Sequence, residues 1–171
     1  DDDAPTVVSA SRRIDAPAAV IFELIADPSL QPEWDGNDNL REAPAGQRVR
    51  AVGDVFTMSI HNGQQRENRV TEFEEGRRIA WLPAMPGEEP RGHLWRWELE
   101  PAGEGATRVT HTYDWTDLTD ETRFERARAT TEDSLLESVR RLADLAPRLA
   151  VVPLLAEEPT GRAALEAVVL Q

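Results

Sequence analysis

The chain has 171 residues, 40% of them hydrophobic and 30% charged, and a formal net charge of -13. That suits one domain able to bury roughly 70% of the surface its unfolded form exposes, and the acidic balance argues against nucleic acid and anionic membrane as partners. All the basic residues are arginine and cysteine is absent, which excludes Schiff-base lysines, thiolate nucleophiles, Cys-ligated zinc and disulfides.

Thr6 to Ile14 alternates Val8, Ala10, Arg12 and Ile14 against Val7, Ser9, Ser11 and Arg13, which predicts a first strand. Asp15 is placed to cap a following helix, Pro17 suits its first turn, and Val20, Ile21, Leu24 and Ile25 recur at helical spacing. Asp27-Pro28 ends that helix, and a second short helical turn follows up to Trp34. Asn37 to Gln47 reads as a loop, or as a short strand over Asn39 to Glu42 and a turn. Val55 to His61 and Gln65 to Glu74 form a hairpin about Asn62-Gly63, with Phe56, Met58 and Ile60 on one face. Arg77 to Leu82 is a further strand, and Pro83 to Pro90 a loop.

Arg91 to Asp117 carries the strongest pattern. His93, Trp95, Trp97 and Leu99 share one parity before the Gly-containing turn, and Val109, His111, Tyr113 and Trp115 share one parity after it. Side chains in a strand alternate faces, so an antiparallel pair lays these rings on one surface. From Leu118 the period changes. Thr130 or Thr131 caps a long helix whose stripe is Leu135, Val139, Leu142, Ala146 and Leu149. Arg123 to Arg128 is either its first turn or a separate helix, and Pro147 leaves its far end open. The expected architecture is α+β, a curved antiparallel sheet wrapped around a long C-terminal helix, with two short helices after the first strand. Residues 1 to 148 form the expected domain, and 149 to 171 a helical extension packed on it or on a partner. No apolar run approaches the roughly 20 residues of a membrane span, and Asp1 to Pro5 lacks the basic end and apolar stretch of a secretory signal; the expected location is cytoplasmic.

A resemblance rests on Ile14 to Phe22, the Asp27-Pro28 and Trp34 that follow, Val52-Gly53-Asp54, Arg77 to Trp81, and Thr107 to His111. In order and spacing these segments resemble the polyketide cyclase/dehydrase-like branch of the START and Bet v 1 superfamily, over residues 6 to 148. The resemblance implies a helix-grip fold enclosing a cavity for a hydrophobic ligand, and members that are either cyclases or lipid carriers. It places Trp34, Phe56, Met58, Trp81, Trp95, Trp97, Trp115, Leu135 and Val139 at the ligand. It also implies a cavity arginine, with Arg66, Arg69 and Arg96 as counterparts. Arg96 has the parity opposite to the tryptophans and should face solvent; Arg69 enters the cavity if its strand is regular through Phe73, and is the one expected there.

His111 and Tyr113, with His93 on the neighbouring strand, are the expected catalytic groups. A neutral imidazole can take a proton from a carbon acid and a phenol can donate to the resulting enolate, as in aldol cyclisation and dehydration. The competing reading for every one of these rings is core packing, and only a void separates the two. The three histidines are dispersed and form no helical ligand pair, so no metal is expected, and no phosphate-binding Gly-rich loop points to another cofactor. The expected partners are a hydrophobic small molecule and, in a homodimer, a second copy of the chain.

Overall fold

The computed structural model describes residues 5–156. Seven strands form one antiparallel sheet in the order β1-β7-β6-β5-β4-β3-β2. They are β1 (Val7–Ile14), β2 (Leu40–Glu42), β3 (Val55–Ile60), β4 (Gln65–Glu74), β5 (Arg78–Ala84), β6 (Leu94–Pro101) and β7 (Thr107–Asp114). Helix α1 (Ala18–Ala26) and a 3-10 turn (Pro28–Glu33) follow β1, and α2 (Phe124–Ala129) and α3 (Glu132–Ala156) close the described chain. This is the expected antiparallel sheet with a long C-terminal helix, the helix-grip arrangement that the resemblance implies.

α3 starts where Thr131 Oγ1 accepts the Ser134 amide at 3.3 Å, with Glu132 and Asp133 in the first turn to complement the helix dipole. Leu135, Val139, Leu142 and Ala146 are fully buried, and α3 packs them against β1, β7 and α1. Each such Leu or Val contributes roughly 1.5–3 kcal/mol. The helix continues through Pro147 and past the expected boundary at 148; the extension from 157 onward lies outside the described residues.

α1 ends at Asp27, whose side chain accepts from the Ser29 amide and so starts the 3-10 turn. The last carbonyls of a helix lack intrahelical donors. Here Gln31 Nε2 donates to Ile25 O at 3.0 Å and Trp34 Nε1 to Leu24 O at 2.8 Å, which pins the turn beneath α1. Asp15 does not cap α1 as expected: its carboxylate accepts from Arg13 Nη1 at 2.6 Å, and Pro17 takes the cap position without a side-chain bond.

The register of β6 and β7 pairs Trp95 with Tyr113, Trp97 with His111 and Leu99 with Val109, so the expected ring-bearing face exists. Gly103 and Gly105, at φ +106° and +67°, make the turn between them. In β4 the register shifts between Val70 and Glu72. Before this bulge Arg66, Asn68 and Val70 are buried; after it Phe73 packs on the core and Glu72 pairs outside with Arg96, at 2.6 Å.

Candidate functional site

A cavity of about 340 Å³ opens between the ring-bearing face, the segment from Gln31 to Leu40, and the α2 region. Such a volume is at the lower end of the range for small-molecule sites. Trp34, Met58, Trp81, Trp95 and Trp97 line it, together with His93, His111 and Tyr113. Asn37, Arg126 and Ala129 also line it and are exposed, so they mark its mouth.

His111 is 2% exposed. Its ring stacks on Trp97, centroids 3.7 Å apart and planes 11° apart, and on Trp95 at 5.6 Å. Its Nδ1 lies 3.1 Å from the Arg96 carbonyl oxygen. A carbonyl only accepts, so Nδ1 carries the proton and Nε2 is the basic nitrogen. Burial pushes this imidazole down to about 3, the Arg96 bond opposing the shift. His93 is pushed down to about 4, by burial first and then by the charges of Arg123, Arg126, Arg66 and Arg91. Both rings are neutral near pH 7. Burial pushes Tyr113 up to about 12, against the pull of Arg123 and Arg126, so its phenol keeps its proton. The Tyr113 ring is 4.4 Å from Trp95 and 6.1 Å from His93.

Two buried polar atoms of lining residues, Trp97 Nε1 and His93 Nδ1, have no hydrogen-bond partner among the described residues. An unsatisfied buried group costs about 1–3 kcal/mol.

Several expected site residues stand elsewhere. Arg69 is outside: its guanidinium pairs with Glu89 at 3.1 Å. The reason is the β4 bulge, which takes up one residue so that Phe73 turns inward while Arg69 does not; of the three arginines expected as counterparts, Arg66 is the one that lines the cavity. Phe56 lies behind the lining, edge-on to Trp81 at 5.3 Å. Trp115 packs on Phe124 in a second core with Leu118, Ala127 and Leu135. Leu135 and Val139 are fully buried core residues. α3, expected at the ligand through Leu135 and Val139, therefore does not line the void; the short α2 and the Gln31 to Leu40 segment do.

Of that segment the sequence reading placed only Trp34 at the ligand and missed the rest. Asp35 organises it: Oδ1 accepts from Asn37 N at 3.1 Å, and Oδ2 from Asn39 N and Leu40 N at 2.9 and 3.0 Å. Gly36 N donates to Ser138 Oγ at 2.8 Å, and Arg141 Nη1 to Asp35 O at 2.7 Å, which ties the loop to α3. Arg123 and Arg126 were missed too. Their three-residue spacing, with Ala127 beside them, was the available signal of a basic face next to a small residue.

A family model described as polyketide cyclase/dehydrase and lipid transport matches residues 5–147. The chain belongs to that family. Membership supports a hydrophobic ligand for the cavity. Uncharacterized protein Rv0088 of Mycobacterium tuberculosis, from strain H37Rv, is 34% identical over 117 residues, 67% of this chain and 50% of that one. The chain thus spans about half the length of the curated relatives it matches. The crystal structure of MLL2253 from Mesorhizobium loti shares the fold at a TM-score of 0.61 and 19% identity, covering 83% of this chain and 97% of that one. DynU16, a protein of the dynemicin biosynthetic locus, does so at 0.57 and 19%, covering 82% and 46%. No helix among the described residues is long and apolar enough to cross a membrane.

Proposed function

We propose that the protein binds a poly-β-keto or polycyclic substrate in this cavity and acts on it as a polyketide cyclase/dehydratase-like enzyme. The observation that carries the reading is the presence of a neutral imidazole, His93, and a protonated phenol, Tyr113, on one aromatic wall. A methylene between two carbonyls is acidic enough for a modest base. His93 removes its proton, and Tyr113 donates to the enolate oxygen. The enolate carbon attacks a second carbonyl of the same chain, forming the ring bond, and the alkoxide takes the proton back. Loss of a second α-proton with departure of the hydroxyl as water completes the dehydration. His111, clamped by Trp97 and the Arg96 carbonyl, offers Nε2 as an acceptor to the bound chain.

The test is turnover of a synthetic poly-β-keto thioester. His93→Gln and Tyr113→Phe should each lower it about tenfold or more, with ligand affinity retained; unchanged turnover in both removes them from the reaction. A second reading, a non-catalytic carrier of a hydrophobic ligand, is favoured by one observation: His93 and His111, at about 4 and about 3, are weak bases. It expects a retained apolar molecule in native mass spectra of the purified protein and no turnover by the wild type.

A further inference from the structure

We infer that Arg66, Arg123 and Arg126 form an oxyanion subsite at one end of the cavity, and that the ligand proposed above carries an acid group that seats there. The inference rests on that ligand-binding reading and adds the chemical class of the ligand: a hydrophobic body with a carboxylate or phosphate end. Arg66 is 9% exposed, and its hydrogen-bond partners among the described residues are all neutral. Nη1 donates to Gln65 O at 3.0 Å and to Met85 Sδ at 3.2 Å, and Nη2 to Gln64 Oε1 at 3.2 Å. A buried guanidinium is ordinarily matched by a carboxylate, because desolvating a lone charge is costly. This protein follows that rule elsewhere: Arg48, with a side chain 8% exposed, is held between Glu23 at 2.9 Å and Glu75 at 2.7 Å.

Around Arg66 the mismatch is compounded. Arg123 and Arg126 line the same cavity, and their charges depress Arg66 further after burial has done so. Arg123 reaches Asp120 only at 3.9 Å, and Asp120 is also bonded to Arg91. Arg126 forms no ion pair among the described residues. Among the described residues the one carboxylate that lines the cavity, Asp35, is occupied by three loop amides. In a chain with 32 acidic residues against 19 basic ones, three arginines thus line a void where the described residues offer no free carboxylate. An oxyanion from the ligand supplies the missing charge, and guanidinium groups bind such anions through paired, charge-assisted hydrogen bonds.

The test uses the whole chain and three matched bicyclic probes, 2-naphthoate, 2-naphthyl phosphate and the neutral 2-naphthamide, by calorimetry near pH 7. At least one anion should bind about tenfold or more tightly than the amide, and which of the two does so names the oxyanion. The advantage should shrink in Arg66→Gln and in Arg126→Gln, while amide binding holds. The second variant alters an exposed side chain and guards against misfolding of the first. Equal affinity of anions and amide overturns the subsite and leaves the cavity reading standing. Binding of none of the three removes the cavity reading, and this inference with it.

Discussion

Acidification should destabilise this protein through its two buried imidazoles, most directly through His111. Burial pushes His111 from 6.5 down to about 3, and burial with four arginine charges pushes His93 down to about 4. As pH falls through 6.5 both rings take up protons in the unfolded chain, while the folded rings stay neutral until near those lower values. The unfolded state therefore binds more protons across that window, so stability is complete above 6.5 and is lost as pH falls. At about pH 5 the loss is about 2 kcal/mol for each ring, from 1.36 kcal/mol per pH step. Asp38, Glu72 and Asp120, all held below the ordinary carboxylate range, lose their stabilising charge only at lower pH and add little there. Urea unfolding followed by circular dichroism, at about pH 7.5 and about pH 5, measures the difference. Wild type should lose about 4 kcal/mol and His111→Gln about half of that. The glutamine keeps a donor for the Arg96 carbonyl, and comparing each protein with itself cancels any fixed packing cost. An equal pH loss in wild type and variant would refute the assignment of a buried, neutral His111.

Gly36→Ala should destabilise the fold by about 2 kcal/mol and weaken ligand binding. An added Cβ would stand 2.6 Å from Ser138 N and 2.8 Å from Ser134 O, which forces the cavity-lining loop off α3; thermal melting and probe titration check both effects. Arg48→Ala should cost about 2 kcal/mol, because it removes the bridge between Glu23 and Glu75 and the guanidinium over Phe22 at 5.5 Å. Denaturant midpoints read that loss, and a change within error of zero would show that the buried position of Arg48 contributes nothing.

Much of the ring-bearing wall was legible because strand alternation is a local rule. Trp95, Trp97, His111 and Tyr113 needed only parity and an antiparallel turn to fall on one face, and the structure puts all four at the cavity. Parity could not distinguish the lining from the core behind it. Phe56 and Trp115 share the inward face and are buried, yet they pack on Trp81 and Phe124. The arginine failed for a sharper reason. Arg69 and Phe73 share a parity only in a regular strand, and the bulge between Val70 and Glu72 breaks that regularity.

By itself the sequence determined the order of strands and helices, the apolar stripe of α3 and the inward face of the last hairpin. Each depends on periodicity within one segment, which steric and hydrophobic preferences impose residue by residue. The tertiary structure alone decided that the void lies between the sheet, the Asp35 loop and α2, with Arg66, Arg123 and Arg126 all on its lining. Those residues are distant in the chain, and their meeting follows from a bulge, from a loop anchored on Ser138 and Arg141, and from the close packing of α3, none of which any local pattern specifies.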